Sequence, residues 1–317
     1  MTNWRWGYAI NQWRNMEVDL ARKDQIASAL KVISVSGFTG VEITEMAIGG
    51  RAMVEGLFGS TRQFLDFARS CGVACVSSFF TSIGSGSAFG GGHAAERADH
   101  AEIVAAATEI AGFLKDAGGS CLVARPMAPY WKAAPITGEK IRAAAECWNA
   151  VGKATADVGI HTALHFDFLG GVRSEEQIDQ FLSSTDGATV GIALDTAELT
   201  IAGLDALAFY KKHHARVRHL HFKDAVARDT LNEYKEPGAE MDYWPTSMIV
   251  AGAKQGIERW FYEMGTPGGL VDFPGLVQAM KHHGYDGWVV VESDQSPHVE
   301  ESVMLNGWYR RHVLSLA

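Results

Sequence analysis

Short apolar runs alternate with longer segments of helical periodicity along the chain. Each apolar run is five to eight residues long and is bounded by glycine or polar residues, as expected of buried parallel strands. Between the runs, apolar residues recur every three or four positions, which is typical of helices that pack on a sheet. The eight predicted strands are RWGYAI (5–10), GVEIT (40–44), VACVSSFF (73–80), SCLVAR (120–125), HTALHFD (161–167), VGIALD (190–195), VRHLHFK (217–223) and GWVVVES (287–293).

This alternation predicts an α/β protein built from eight βα units, which close into a (β/α)8 TIM barrel. Residues 1–317 then form a single domain. Local signals agree with the helix positions. Ser60 precedes one helical segment, and Ser174 with Gln177 three residues later forms a capping-box pattern before another.

Two predicted connections are longer than usual. TSIGSGSAFGGGHAAER (81–97) is rich in Gly and Ser, but it lacks the residue order of a phosphate-binding loop, so a mobile rim or lid is favoured. The second connection, 225–269, follows the seventh strand and carries DYWP and RWFYEMG. Its aromatic density predicts an insertion or lid that packs over the barrel mouth or against a partner.

The composition narrows the class of protein. With 47% hydrophobic and 21% charged residues, the 317-residue chain can bury a large core. A net charge of −9 argues against a nucleic-acid partner. The absence of a long apolar run and of a secretory signal predicts a cytoplasmic protein without a membrane partner. The cysteines have no CxxC spacing and are interpreted as reduced thiols: Cys71, Cys75, Cys121 and Cys147.

Polar residues end four consecutive predicted strands. They are His165 and Asp167, Asp195, His221 and Lys223, and Glu292. Because the carboxyl ends of barrel strands meet at one rim, His165, Asp195, His221 and Glu292 are predicted to bind one divalent metal. Each residue also has a structural interpretation, either a hydrogen-bonded core histidine or, for Asp195, a helix cap. Asp167 has three alternative roles: a metal ligand, a substrate contact or a helix cap.

In VRHLHFKD, alternation places His219, His221 and Lys223 on the inward face. His219 lies deeper and is interpreted as structural. Lys223 is predicted either to stabilise an oxyanion or to be a solvated rim cation. Two further inward residues, Glu42 and Arg125, are candidate substrate contacts, and Glu42 has a structural alternative.

VRHLHFKD, ALDTAEL and GWVVVESD resemble the xylose isomerase-like superfamily, the sugar phosphate isomerase/epimerase group. That group includes inosose dehydratases, ketose 3-epimerases and an AP-endonuclease branch. The resemblance implies one divalent metal held by a fifth-strand carboxylate, a sixth-strand Asp, a seventh-strand His and an eighth-strand Glu. Asp195, His221 and Glu292 match this pattern. Mn²⁺ is the first choice of metal, with Co²⁺, Mg²⁺ and Zn²⁺ as alternatives.

Two positions depart from the epimerase pattern. His165 stands where many epimerases have Glu, and Glu198 stands where a DTGH motif places His. The resemblance implies two glutamate bases for an epimerase, so His165 favours a one-base lyase that removes a proton α to a carbonyl and expels a β substituent. His165 or Glu198 is the candidate base, with Lys223, Glu42 or Arg125 orienting hydroxyls.

The resemblance leaves several substrates open. HFDFLGGVRSEEQID is similar to inosose dehydratases, and the chain also resembles the large subunit of C-glycoside deglycosidases, which act on 3-oxo-glycosides with a small β subunit. The expected partners are a small sugar or glycoside and further subunits in an oligomer, with a β subunit as one option. An epimerase and a non-catalytic sugar-binding barrel are the alternatives. DNA cleavage is disfavoured because it needs more metal ligands and a basic surface.

Overall fold

The structure is a computed structural model that describes residues 4–15, 22–45, 50–87, 90–236, 239 and 251–316. Ten strands lie in these ranges: β1 (Arg5–Ala9), β2 (Gly40–Thr44), β3 (Cys75–Thr81), β4 (Ser85–Ser87), β5 (Gly90–His93), β6 (Cys121–Ala124), β7 (His161–His165), β8 (Val190–Asp195), β9 (Val217–Phe222) and β10 (Trp288–Val291).

Eight of these strands close into a parallel barrel in the order β1-β10-β9-β8-β7-β6-β3-β2. Each is one of the eight strands predicted from the apolar runs, so the predicted (β/α)8 barrel is confirmed. The remaining strands, β4 and β5, form an antiparallel hairpin within the connection 81–97. Residues 88–89 of that connection lie outside the described ranges, and its function as a lid stays a prediction.

Helices connect the strands. Their bounds are α1 (Lys23–Val35), α2 (Arg51–Phe58), α3 (Thr61–Ser70), α4 (His100–Asp116), α5 (Tyr130–Ala133), α6 (Gly138–Asp157), α7 (Glu175–Ser183), α8 (Thr196–Ile201), α9 (Ala206–His213), α10 (Phe273–His282) and α11 (Val299–His312). No helix in the described ranges is both long enough and apolar enough to cross a membrane.

Local sequence signals set several helix ends. The Ser60 hydroxyl accepts a hydrogen bond from a backbone N–H of α3, and Ser174 and Gln177 form the complete capping box of α7. Gly37 and Gly72, which follow α1 and α3, have φ angles of 90° and 89°. Only glycine adopts such angles without strain, which explains why these helices end there.

Small side chains line the barrel interior beneath its carboxyl-terminal mouth. Cys121, Val123, Ala163 and Ala193 form one buried cluster. Ala163 and Ala193 lie two residues before His165 and Asp195 on the same strand faces. The four cysteines are free thiols, as predicted. The small interior residues leave room for a layer of larger polar side chains above them.

The described part of segment 225–269 packs beside the barrel mouth. Its Tyr234, Trp260 and Phe261 form a buried apolar cluster with Phe168 and Ala197, which follow β7 and β8. Residues 237–238 and 240–250, which include DYWP, lie outside the described ranges. Whether the segment acts as a lid stays a prediction.

Asp224 fastens this segment to the end of β9. Its carboxylate accepts hydrogen bonds from the backbone N–H groups of Ala225, Gly265 and Val271, at 2.9, 3.1 and 3.2 Å. Its backbone also exchanges two hydrogen bonds with Tyr262, both at 2.9 Å. One buried residue therefore organises both ends of the segment.

Candidate metal centre and active site

The four predicted metal ligands meet at the carboxyl-terminal mouth of the barrel. His165 Nε2 lies 3.1 Å from Asp195 Oδ2. His221 Nδ1 lies 3.6 Å from that same oxygen and 3.6 Å from Glu292 Oε2. All four side chains are buried. Register explains this convergence, because Asp195 of β8 pairs directly with His221 of β9.

The donor set fits a divalent cation. Ligands about 2.1 Å from a tetrahedral metal lie about 3.4 Å from one another, close to these three separations. His165, Asp195 and His221 offer donor atoms that all lie within 4.8 Å of one another, and Glu292 adjoins this group through His221. Both ring nitrogens of His221 are buried without a hydrogen bond; Nε2 faces Glu42, and Nδ1 faces two carboxylates. An unpartnered imidazole nitrogen beside two carboxylates is the arrangement that a metal ion satisfies.

Glu42 lies behind His221, on the side away from Asp195 and Glu292. Its Oε1 is 2.8 Å from His221 Nε2, and its Oε2 is 3.1 Å from His219 Nε2 and accepts a hydrogen bond from Ser78 at 2.8 Å. Burial alone would raise the pKa of Glu42, but His221 and His219 hold that pKa below its usual range. A carboxylate on the second ring nitrogen orients a metal-binding histidine, so the geometry favours the positioning alternative for Glu42.

Lys223 lies among the carboxylates rather than in solvent. Its Nζ is 3.1 Å from Asp195 Oδ2, 2.9 Å from Glu292 Oε2 and 3.0 Å from Asp294 Oδ2. The side chain is 1% exposed, and the ring of Phe261 lies 4.0 Å from Nζ. The solvated-rim alternative is therefore wrong. The carboxylates outweigh burial and hold the pKa of Lys223 well above its usual value, so the ammonium is retained.

Asn11 completes a closed ring with these groups. Its Nδ2 donates to Glu292 Oε1 at 2.5 Å and to Asp294 Oδ1 at 2.9 Å, while Lys223 donates to the other oxygen of each carboxylate. Sequence reasoning missed Asn11 and Asp294. A signal existed for both, since Asn11 follows the first strand by two residues and Asp294 is two residues beyond Glu292.

Asp167 and Arg125 position His165. Asp167 Oδ1 is 2.7 Å from His165 Nδ1, and Arg125 Nε donates to Asp167 Oδ2. Burial would raise the pKa of Asp167, but Arg125 and His165 lower it to about 2. Burial would lower the pKa of His165, but Asp167 and Asp195 raise it to about 9. The ion pair with Arg125 thus keeps a carboxylate against the imidazole.

Asp195 and Glu198 are linked through the start of α8. Asp195 Oδ1 accepts the Glu198 backbone N–H at 2.9 Å, so Asp195 is a helix cap as well as part of the cluster. Glu198 Oε2 accepts the Phe168 N–H at 2.8 Å, and Oε1 lies 3.8 Å from Lys223 Nζ. Burial first, and then Asp167, raise the pKa of Glu198 to about 8. This carboxyl can exchange a proton near neutral pH.

Comparison with known proteins identifies the fold family. The model of the xylose isomerase-like TIM barrel family matches residues 30–311. The chain belongs to this family. The family assignment agrees with the closed parallel barrel and with the resemblance of its strand-end motifs.

Curated relatives include the inosose dehydratase of Lacticaseibacillus casei, which is 30% identical over 148 residues. This match covers 46% of the chain and 45% of the relative, so the chain spans about half the length of the curated relatives it matches. A zinc-bound IolI protein has 15% identity and a TM-score of 0.68, with 98% of each chain covered. An L-ribulose 3-epimerase has 14% identity and a TM-score of 0.67, covering 98% of this chain and 93% of the other. At these identities, the two structures support the fold alone.

His165 is the departure from the epimerase pattern on the fifth strand, and carboxylates surround it. The imidazole of His165 lies between the carboxylates of Asp167 and Asp195. The second departure, Glu198, is buried and adjoins Lys223. The structure brings every predicted site residue into one connected network: Glu42, Arg125, His165, Asp167, Asp195, Glu198, His221, Lys223 and Glu292.

Proposed function

We propose that this protein is a divalent-metal-dependent lyase that acts on a keto-cyclitol or keto-sugar. The observation that carries the proposal is the convergence of His165, Asp195, His221 and Glu292 at the barrel mouth, with a histidine on the fifth strand. The inosose dehydratase name of the curated relatives supports this reaction class and substrate class.

Those four side chains are the ones that would hold the ion, with Mn²⁺ as the first choice and Zn²⁺, Co²⁺ and Mg²⁺ as alternatives. A bound ion would polarise the substrate carbonyl and so acidify the adjacent C–H bond. Glu42 keeps the Nε2 side of His221 engaged, which leaves Nδ1 directed at Asp195 and Glu292. Asp167 does the same for the Nδ1 side of His165.

Glu198 and Lys223 are the proposed reacting side chains. Glu198 has a pKa of about 8, so its carboxyl populates both protonation states near neutral pH. It can accept the proton from carbon and return that proton to the departing hydroxyl, which is a one-base elimination. Lys223 keeps a buried positive charge 3.8 Å from Glu198 Oε1, and we propose that this charge stabilises the developing enolate oxygen electrostatically.

The second candidate is a sugar epimerase, because an L-ribulose 3-epimerase shares the fold. Epimerisation needs a proton to be taken from one face of the carbon and supplied to the other. His165 weakens this candidate, since its two ring nitrogens already face Asp167 and Asp195. A non-catalytic sugar-binding barrel is the candidate of a different class, and the cluster of perturbed titrating groups argues against it.

C-glycoside deglycosylation is a narrower version of the lyase proposal. Tyr234, Trp260 and Phe261 form a buried apolar cluster beside the mouth, and Phe261 contacts Lys223. Apolar surroundings at the mouth favour an aromatic leaving group. A small β subunit would be a partner in this version.

Metal analysis and a substrate panel test the proposal. Purified protein is expected to carry about one divalent ion per chain and to lose activity with EDTA. The panel contains inososes, free ketoses and 3-oxo-glycosides, each incubated in D₂O. Elimination product with little epimer is expected. Clean epimerisation would reverse the ranking of lyase and epimerase, and full activity without metal would refute the metal centre.

A further inference from the structure

Exposed apolar side chains are concentrated on one part of the outer surface. Five of the seven large exposed ones among the described residues lie on α11, just after it, or at the end of α1. They are Val35, Met304, Leu305, Trp308 and Val313, with exposed fractions of 74%, 51%, 48%, 53% and 45%. Single exposed apolar residues are common on protein surfaces, but a contiguous group marks a binding surface.

The group on α11 forms one stripe along the helix. At about 100° per residue, positions 301, 304, 305, 308, 311 and 312 fall within an arc of about 120°. All six residues are exposed, while Val303, Asn306 and Arg310 on the opposite side are buried. We call the exposed stripe the α11 face: Glu301, Met304, Leu305, Trp308, Arg311 and His312.

The outer side of α3 is different. The exposed residues of α3 are all polar: Arg62, Gln63, Asp66, Arg69 and Ser70. Both helices therefore bury one face against the barrel. Of the two, only α11 has apolar residues at the centre of its outer face. Among the residues that the structure describes, none buries that centre.

Charge is distributed along the α11 face in a self-complementary order. Glu301 lies at one end, Met304, Leu305 and Trp308 form the middle, and Arg311 and His312 lie at the other end. Arg311 also donates to the Ser36 carbonyl at 3.1 Å, which joins the basic end to the residue after α1. Val35 extends the apolar surface on that side.

We propose that the α11 face pairs two copies of this chain about a two-fold axis. In an antiparallel pair centred between Leu305 and Trp308, each Trp308 meets the partner copy's Met304 and Leu305. Each Glu301 then meets the basic end of the other helix. A two-fold interface requires a surface that complements itself, and this order of charges provides it.

Sedimentation equilibrium of the full chain tests the pairing. The expected mass is twice the chain mass of 34.4 kDa at micromolar protein concentration. Trp308→Glu places a carboxylate in the apolar middle and is expected to give a monomer with an unchanged circular dichroism spectrum. Leu231→Glu is the matched control, because Leu231 is also 53% exposed but lies outside the α11 face. This control is expected to remain a dimer.

Charge reversal tests the orientation. Glu301→Arg and Arg311→Glu each create two like-charge contacts per dimer, and each should weaken dimerisation about tenfold or more. The double variant exchanges the charges and should restore the wild-type dissociation constant. A monomeric wild type, a dimer insensitive to Trp308→Glu, or a double variant no better than the singles would each overturn the proposal. None of these readouts depends on the metal or on catalysis.

Discussion

The two carboxylate oxygens of Asp195 have different partners. Oδ1 caps α8 through the Glu198 N–H, and Oδ2 faces His165, His221 and Lys223. The structural and functional interpretations of this residue therefore do not compete. The cap fixes the side-chain rotamer, and that rotamer directs the second oxygen into the proposed metal centre.

The two histidines of β9 should respond differently to substitution. His221→Ala removes a proposed ligand, so metal content and activity are expected to fall together. His219→Ala leaves Glu42 with its contacts to Ser78 and His221, and should cost about 1–3 kcal/mol of stability with metal retained. Metal analysis and urea unfolding of both variants check this. Loss of metal from His219→Ala alone would contradict the assignment.

Glu198 should make the stability of the protein depend on pH. Its pKa is 4.5 in an unperturbed chain and about 8 in the fold, so the folded state holds a proton that the unfolded chain releases between these values. Stability from this group is thus lost as the pH rises through that window. In EDTA-treated protein, Glu198→Gln should have the higher melting temperature at pH 8, and its advantage should shrink toward pH 5.

The prediction would be contradicted if the melting temperatures of the two proteins changed in parallel across that pH range. Glu198 would then be ionised at every pH tested. The same variant is expected to reduce kcat/KM by about 10²–10⁴-fold, since a glutamine cannot exchange the proton. Metal content should stay unchanged. Higher stability combined with lower activity is the expected signature of a buried catalytic carboxyl.

Residue types at strand ends predicted much of the candidate site, because barrel geometry collects those ends at one rim. The burial of Lys223 was not predictable. It depends on Phe261, which lies 38 positions later in a segment without regular periodicity. Asn11 was missed for a related reason, since its partners Glu292 and Asp294 are more than 280 positions away.

At the scale of elements, periodicity located every barrel strand. VGIALD matches β8 at both ends, and HTALHFD extends two residues beyond β7. The two extra residues have a physical explanation. Asp167 continues the alternation of apolar and polar residues, but it lies beyond the end of β7 and its carboxylate contacts His165. The hairpin of β4 and β5 was not predicted, since Gly and Ser carry no strand signal.

The segment that follows β9 depends on Asp224 for its local stability. Asp224→Ala leaves three backbone N–H groups without their acceptor and should cost about 1–3 kcal/mol. Hydrogen exchange is expected to accelerate in residues 225–236 and 251–271, with little change in the barrel strands. Asp272→Ala, which removes the cap of α10, is the matched control. It should destabilise the protein by about 1 kcal/mol without the local acceleration. If hydrogen exchange accelerated equally in the segment and in the barrel strands of both variants, Asp224 would not be the residue that holds the segment in place.

For the whole molecule, metal binding should be coupled to stability. An ion that binds only the folded barrel stabilises it by about 2.7 kcal/mol at one hundred times its Kd. Addition of Mn²⁺ or Zn²⁺ to EDTA-treated protein is expected to raise the melting temperature, and EDTA should reverse the increase. His221→Ala is the control in which the increase should disappear. An equal increase in that variant would place the ion elsewhere.

The ring formed by Asn11, Lys223, Glu292 and Asp294 lies where β1 pairs with β10, at the seam between the first and last barrel strands. A ribosome that has made the chain only as far as residue 291, the end of β10, has made Asn11 and Lys223 but neither acidic member. During synthesis, the ring therefore stays incomplete until the final barrel strand and the residues just after it have been added.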